Sequence, residues 1–376
     1  MAVYHQMGHN GENLLNDKSL IGYAGAILSP VNYGISRITS QIKSLQTPAF
    51  EFIFDPQLYY PNSQRGQLND WPYFPSEVDT ADISSKAWWN AFNKNLIIDL
   101  QQILPKSVCS PAVVPKVFTD DYALKTVDIC SDLIKKLYGS SIDVIQTVIV
   151  RFSDLSQPDY AHHISSIYSN TKANRIYVIF LTDINPRREL TDDASLNGCI
   201  RFIRLLEKAG LKTIIGYCST DIVLWKFAGA SSCATGKFFN LRRFSPARWQ
   251  EPQEGGGVIA YWTEPSLLAY LRDADIDRLL RAKLLPASSI TTEPSKKIMN
   301  IKKDTPGSPW LKYSWRQYMK WFHDFDDNFI SLYSDTDAFL KQIENNWQAV
   351  EKARILMDEE PNDGSWIRRW RQAVRG

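Results

Sequence analysis

The sequence has no long run of apolar residues and no paired cysteine motif. Nowhere do about 18 consecutive apolar residues occur, which excludes a conventional transmembrane helix. The five cysteines are an odd number, lie far apart and show no C-x-x-C spacing, which disfavours a disulfide framework and a zinc site. They are Cys109, Cys130, Cys199, Cys218 and Cys233. This usage predicts a reducing compartment, the cytoplasm.

An excess of charge of either sign is also missing. The 43 basic and 41 acidic residues leave a net charge of +2, so no global field draws the protein to nucleic acid or to an anionic membrane. The five histidines form no H-E-x-x-H motif. His162 and His163 are adjacent on a predicted helix, where neighbours point about 100° apart and cannot share a metal. We therefore predict no metal and no cofactor.

The first residues, 1–18, have no basic segment followed by an apolar one, so a secretory signal is not indicated and a flexible N-terminus is expected. From residue 20 onward, short apolar, β-rich runs follow one another along the chain. The clearest are 20–28, 50–54, 112–114, 147–150, 176–181 and 213–217, with a further run at 258–262. Runs that are apolar on both faces are typical of buried parallel strands.

Amphipathic helices separate these runs. In the helix predicted over 195–209, Leu196, Ile200, Ile203 and Leu206 recur at helical spacing, and Gly210 ends the helix. Strand, helix and strand with short turns indicate right-handed βαβ crossovers and a parallel sheet. About seven strands before Lys237 favour a closed TIM-type (β/α) barrel over 19–285, although an open, doubly wound sheet remains an alternative.

Three segments interrupt or follow the barrel pattern. Residues 57–85 are rich in Pro, Asn, Ser and Tyr, and a loop of this length is typical of a lid or binding loop. Residues 286–309 have the composition of a linker or exposed crossover. Residues 310–376 show an aromatic-rich helical pattern. Its end carries a cluster that we expect to stay exposed: Trp366, Arg368, Arg369, Trp370 and Arg371.

In a barrel of this type the functional residues lie beyond the carboxyl ends of the strands, where the loops converge on one mouth. Asp55, Asp183 and Asp221 follow three different predicted strands. Carboxylates that converge in a partly dry mouth raise one another's pKa, as general acid/base or glycosyl-transfer chemistry requires. We predict these three as catalytic residues. Aspartates at strand ends also cap helices or pair with arginines, which is the structural alternative.

The segment over 229–244, GASSCATGKFFNLRRF, predicts an anion site. Its small residues allow close approach of the backbone, and its basic residues would lie in the late barrel loops, where phosphate sites of this fold occur. It is not a P-loop, because a phenylalanine follows the lysine. The predicted phosphate- or nucleic-acid-binding residues are Arg151, Lys237, Asn240, Arg242 and Arg243. The alternative is that the glycines serve packing and the arginines face solvent.

Two functions follow from these patterns. The leading one is a barrel protein that binds a phosphate-bearing small molecule or nucleic-acid segment at the mouth, with hydrolytic or glycosyl-transfer chemistry as its reaction. The rival is a catalytically inert subunit of a multiprotein assembly, which would bind another protein through the loop over 57–85 and the tryptophan-rich C-terminal helices. A deep pocket favours the first function, and a filled mouth with an exposed apolar patch favours the second.

Overall fold

Eight parallel strands close into a barrel in the computed structural model, which describes residues 2–16, 19–45, 47, 49–250, 258–332 and 335–376. The ring closes where the first strand pairs with the last, with Tyr4 opposite Ala234. In chain order the strands are β1 (Ala2–Gln6), β2 (Gly25–Leu28), β3 (Glu51–Phe54), β4 (Ser107–Cys109), β5 (Asp143–Arg151), β6 (Arg175–Leu181), β7 (Lys212–Ile215) and β8 (Ser232–Thr235). The predicted barrel is confirmed.

Helices follow the strands and cover the outside of the barrel. They are α1 (Glu12–Asn16), α2 (Ile35–Leu45), α3 (Thr80–Ser84), α4 (Lys86–Ile103), α5 (Asp120–Lys136), α6 (Tyr160–Tyr168), α7 (Asp193–Lys208), α8 (Ile222–Phe227), α9 (Asp273–Arg281), α10 (Glu293–Asp304), α11 (Leu311–Leu332), α12 (Thr336–Lys352) and α13 (Ser365–Arg375). A two-stranded antiparallel hairpin, β9 (Trp262–Glu264) and β10 (Ala269–Leu271), lies outside the barrel.

The helix α7 shows how the sequence specifies these elements. Asp192 caps its N-terminus by accepting a hydrogen bond from the backbone N–H of Ser195. The predicted apolar face of this helix is buried, with Leu196 and Ile203 fully inaccessible. Burial of such a side chain contributes roughly 1.5–3 kcal/mol to stability. Gly210, whose φ of 85° suits a residue without a Cβ, ends the helix as predicted.

A polar cluster fills the amino-terminal end of the barrel interior. Arg175 donates to both carboxylate oxygens of Glu51, at 3.0 and 2.8 Å, and the hydroxyl of Tyr4 donates to the same carboxylate. Burial alone raises the pKa of Glu51, but the hydrogen bonds from Arg175 and Ser107 outweigh it and hold this pKa below its ordinary value. The charged groups at this end of the barrel are paired with one another, so we assign them a role in stabilising the fold.

The expected flexible N-terminus over 1–18 is wrong for the described part of that stretch. Ala2–Gln6 is the first barrel strand, and residues 1, 17 and 18 lie outside the described residues. Consequently the run over 20–28 contains the second strand, not the first. The run over 258–262 does not supply a barrel strand, because Trp262 begins the outer hairpin.

The region after the barrel is helical. The stretch 286–309, predicted as a linker or exposed crossover, contains α10, which packs against α11. In the terminal cluster, Trp366 and Trp370 are buried, and the indole N–H of Trp370 donates to the backbone oxygen of Leu190 at 2.7 Å. The expectation of an exposed cluster is therefore wrong for its tryptophans. An amphipathic helix buries its apolar face, and here Arg368 and Arg369 are left outside.

All five cysteines are buried and carry free thiols. No helix in the described part of the chain is both long and apolar enough to span a bilayer. Among the described residues, no group of three or more His, Cys, Asp or Glu side chains is arranged to hold a metal ion.

Candidate functional site

A cleft of about 1230 Å³ opens at the carboxyl ends of the barrel strands, on the side of β3, β4, β5 and β6. Its walls include residues from the stretches 59–63, 78–89, 112–116, 122–129, 151–156, 181–195 and 246–250, with Trp249 but not Arg248 among the last. The first belongs to the long loop over 57–85 and the last to the chain that follows β8. The cleft is thus built from barrel loops at the end of this fold where ligands bind.

Charged side chains of both signs line the cleft. Arg151 ends β5 and lies over the ring of Phe118, with 5.5 Å between the guanidinium carbon and the ring centroid. Lys116 and Lys125 add two further cations. Asp183 is exposed in the cleft, and its negative charge adds to burial in raising the pKa of Tyr60 to about 12. Arg151 and Asp183, both predicted from their strand-end positions, therefore line the same cleft.

Asp55 lies below the cleft in the barrel mouth and is 1% exposed. Its carboxylate accepts hydrogen bonds from the hydroxyl of Tyr59, at 2.9 and 2.8 Å, and from the backbone N–H of Gln57. Burial raises the pKa of Asp55 to about 7, because these hydrogen bonds offset only part of the lost hydration. A carboxyl group with a pKa near 7 is about half ionised at neutral pH, which is the protonation balance that suits a general acid or base.

Two residues next to Asp55 have a left-handed backbone conformation. Gln57 follows β3 with φ of 52°, and Tyr217 follows β7 with φ of 57°. Such a conformation costs an ordinary residue on the order of 1 kcal/mol and persists only where surrounding contacts enforce it. Both side chains are buried and adjoin each other near the barrel axis. Strain at two converging strand ends is typical of functional sites.

The chain after β8 covers the mouth with Arg248 and Trp249. The indole of Trp249 packs edge-on against Tyr59, with ring centroids 5.4 Å apart, and both residues line the cleft. Arg248 is 8% exposed, and its positive charge lowers the pKa values of Asp55 and Tyr217 from where burial alone would place them. Sequence patterns gave no indication of either residue, since nothing local marks them.

The third predicted catalytic residue, Asp221, lies on the other side of the mouth, where β7 and β8 end. Arg243 binds it and Glu189, with 3.4 Å between nitrogen and oxygen in both pairs. All three side chains are less than a tenth exposed. Burial raises the pKa of Glu189 to about 7 and also raises that of Asp221, although Arg243 opposes both shifts. None of the three lines the cleft.

The predicted anion-binding residues of 229–244 are also engaged inside the protein. Arg242 donates to the backbone oxygens of Gly236 and Lys237, and its guanidinium carbon lies 3.3 Å from the ring centroid of Tyr318. Lys237 donates to the backbone oxygen of Asn10, and burial lowers its pKa to about 8. Asn240 is half-buried in a short turn outside the cleft.

The structure thus divides the predicted site into two groups. Asp55, Asp183 and Arg151 lie in or directly below the cleft, whereas Asp221 and Arg243 lie in a closed network beside β7 and β8, and Lys237 and Arg242 pack against residues of α11. All of them follow barrel strands, but they do not share one open cavity. The roles predicted for these residues remain predictions.

No family model matches the chain, and no curated protein is similar to it in sequence. Similar solved structures include N-(5'-phosphoribosyl)anthranilate isomerase from Pyrococcus furiosus, with 9% identity, a TM-score of 0.35 and coverage of 63% of this chain and 88% of that chain. An HpcH/HpaI aldolase/citrate lyase family protein from Burkholderia cenocepacia has 9% identity, a TM-score of 0.38 and coverage of 62% and 87%. A mutant O-GlcNAc hydrolase from Thermobaculum terrenum has 12% identity, a TM-score of 0.42 and coverage of 99% and 92%. These distant likenesses indicate no activity.

Proposed function

We propose that the protein is an enzyme that binds a phosphate-bearing small molecule in the cleft and uses Asp55 to transfer a proton during hydrolysis or glycosyl transfer. The observation that carries this proposal is the buried carboxyl group of Asp55, with its pKa of about 7, which is hydrogen-bonded to Tyr59 of the cleft wall. Tyr59 connects the two, because it donates to Asp55 and also forms part of the cleft wall.

The phosphate assignment rests on the basic residues of the cleft. Arg151, Lys116 and Lys125 come from three different parts of the chain and line one cavity. An arginine fork binds phosphate oxygens in a bidentate manner, and lysines add point charges. The volume of about 1230 Å³ is sufficient for a nucleotide-sized molecule. A single-stranded nucleic-acid segment would offer the same phosphate chemistry.

Asp183 supplies a second carboxyl group in a different environment. It is exposed in the cleft, whereas Asp55 is buried under Tyr59. Two carboxyl groups in unlike environments can divide the roles of acid and base between them. In hydrolysis one would protonate the leaving oxygen while the other accepts a proton from the attacking water.

Binding is tested by the thermal shift of the purified protein with ribose 5-phosphate and with a short single-stranded oligonucleotide. Arg151→Ala should weaken binding at least tenfold, since it removes a charged hydrogen-bond donor to phosphate. Arg188→Ala is the matched control, because Arg188 is exposed and does not line the cleft. Equal shifts for the wild type and both variants would contradict the phosphate assignment.

Catalysis is tested with a panel of p-nitrophenyl glycosides and phosphate esters. For any substrate that is turned over, Asp55→Asn should lower kcat at least a hundredfold and change binding little, because general acid/base transfer contributes about 10²–10⁴-fold. An unchanged kcat in a folded Asp55→Asn protein would retire the proposed role of Asp55.

The rival function, an inert interaction subunit, gains no support from the aromatic residues on which it was based. Trp71 and Tyr73 of the long loop are buried, as are Trp366 and Trp370 of the C-terminal region. An aromatic side chain that is buried within its own chain is not available to anchor another protein. These residues therefore do not favour the rival function.

A further inference from the structure

Four neighbouring buried side chains in the mouth carry hydrogen-bond donors that have no acceptor at bonding distance among the described residues. The unsatisfied atoms are Nε2 of Gln57, the hydroxyl of Tyr217, Nε and Nη2 of Arg248, and Nε1 of Trp249, and none of them has a partner among the described residues. Each of the four side chains is more than nine-tenths buried. A buried polar group without a partner costs about 1–3 kcal/mol, and a charged group costs more, so a cluster of this kind calls for an occupant.

We propose that these donors form an oxyanion subsite, which holds a carboxylate or phosphate group of the molecule bound in the cleft. This inference rests on the proposed function, since it assigns one chemical group of the ligand to one place in the same mouth. It goes beyond that function by naming Arg248, Gln57, Tyr217 and Trp249 as the binding residues.

Contacts within the cluster bring the donors together. Tyr217 adjoins the side chain of Gln57, and Arg248 acts electrostatically on Tyr217. The guanidinium carbon of Arg248 lies 5.6 Å from the ring centroid of Trp249. Trp249 in turn packs against Tyr59, which lines the cleft. The cluster is therefore one neighbourhood, bordered by a wall of the cleft.

Hydrogen bonds to its side-chain oxygen fix the orientation of the Gln57 amide. Its Oε1 accepts hydrogen bonds from the hydroxyl of Ser29, at 2.9 Å, and from the backbone N–H of Val31, at 3.3 Å. The amide nitrogen must consequently face away from these groups, with its two N–H donors unused. Gln57 keeps this orientation although its φ is positive. The strained backbone is therefore held in a conformation that leaves the amide N–H donors of Gln57 unused.

Each unsatisfied atom of this cluster can donate a hydrogen bond, and all except the hydroxyl of Tyr217 can only donate, which favours an acceptor as the missing partner. The nearby carboxyl group of Asp55 accepts from Tyr59 and from the backbone of Gln57, and neither Nε nor Nη2 of Arg248 forms a hydrogen bond with it. Burial also raises the pKa of Asp55 to about 7, so below that pH this group carries no charge to offset Arg248. A guanidinium with free N–H donors binds a planar carboxylate or a phosphate especially well.

The other arginines of the mouth have protein partners. Arg243 binds two carboxylates, and Arg242 donates to two backbone oxygens. Arg243 leaves only its Nε without a partner, whereas Arg248 leaves both Nε and Nη2 unused and forms no ion pair among the described residues. Protein contacts account for the first two arginines and leave the charge of Arg248 without a bound partner.

The test is isothermal titration of the full-length protein with inorganic phosphate and, separately, with acetate. Wild-type protein should bind at least one of these anions with a stoichiometry of one. Arg248→Met should weaken that binding at least tenfold, and Trp249→Phe, which keeps the ring but removes the N–H, should weaken it severalfold. Arg188→Met is the control and should bind as the wild type does. Near-ultraviolet circular dichroism establishes that each variant is folded.

Each arm of this experiment decides something. Binding of phosphate alone, or of acetate alone, supports the subsite and identifies which group of the ligand occupies it. Failure of both anions to bind, or equal affinity in the wild type and in both folded variants, overturns the subsite. If Arg151→Ala weakens the binding of ribose 5-phosphate and Arg248→Met does not, the proposed function stands and the subsite is wrong. If Arg248→Met weakens this binding and Arg151→Ala does not, the subsite stands and the assignment of phosphate to Arg151 is wrong.

Discussion

Both sides of the barrel mouth carry aspartates and arginines, but these residues form ion pairs with each other on only one side. On the side of β3 to β6, Asp55 is buried without an ion pair, Asp183 is exposed, and Arg151 lines an open cleft. On the side of β7 and β8, Asp221 and Arg243 bind each other, and Arg242 lies under Tyr318 of α11. The C-terminal helices fill the second side and leave the first side open.

This difference shows that a position after a barrel strand does not by itself make a site. Every predicted site residue except Asn240 is a carboxylate or a cation near a strand end, yet on one side the groups satisfy one another. The ion pairs of Arg243 with Asp221 and Glu189 use most of the hydrogen-bond capacity of these groups and lie outside the cleft. Buried donors without partners beside an open cleft are the reason why we propose the other side as the functional one.

The largest difference between the two sides is expected when one buried arginine is removed from each. Arg243→Met should destabilise the fold by about 3–5 kcal/mol, because it leaves Asp221 and Glu189 buried without their cation. Arg248→Met should be neutral or stabilising, because it removes a buried charge whose donors are unused. Urea unfolding of both variants checks this, and equal destabilisation would contradict the division of the mouth.

The packed side should also depend on the C-terminal helix α13. Trp370→Ala should cost about 3–4 kcal/mol, since it empties a fully buried site and removes the hydrogen bond to the backbone of Leu190. Trp370→Phe, which keeps most of the volume, should cost much less. Thermal unfolding measures both variants, and an unaltered melting temperature for Trp370→Ala would show that α13 is not part of the barrel's core.

On the open side, Asp55 should make stability depend on pH. Its pKa in the folded protein, about 7, lies above the ordinary value of 3.8, so the folded state binds the extra proton between these limits. Its contribution is fully present below about pH 4 and is lost as the pH rises through 7. Compared with the wild type, Asp55→Asn should therefore gain roughly 2–4 kcal/mol between pH 4 and pH 8. Urea unfolding over this range is the measurement, and a constant difference between the two proteins would be the contrary result.

The smallest effect on stability is expected at the cleft surface. Asp183→Asn should change the unfolding free energy by no more than about 0.5 kcal/mol, because the side chain is exposed. The same variant should still lower activity if Asp183 shares the catalytic work. A large loss of stability would mean that Asp183 belongs to the packed side of the comparison.

The barrel could be predicted from the sequence because several of its strands contain apolar runs, such as 148–150 in β5 and 176–181 in β6. The first strand escaped prediction because it ends in the polar residues His5 and Gln6. Gln6 is buried in the barrel, where its oxygen accepts a hydrogen bond from Tyr177. A polar residue that bonds to a distant partner cannot be distinguished from a loop residue by its local pattern.

The candidate site was predictable only as a set of positions. Asp55 and Arg151 could be placed at the mouth because each follows a strand. Whether a strand-end cation is engaged depends on contacts between distant parts of the chain, such as that of Arg242 with Tyr318 of α11. The importance of Arg248 arises in the same way and has no local signal.

The crystal structure of the protein soaked in ribose 5-phosphate decides which side of the mouth binds ligand. We expect ligand density in the cleft, in contact with Arg151 and with an oxyanion group at Arg248. Density at Lys237, Arg242 and Arg243 with an empty cleft would contradict it, because it would place the functional site on the side of the mouth that we assign to stability.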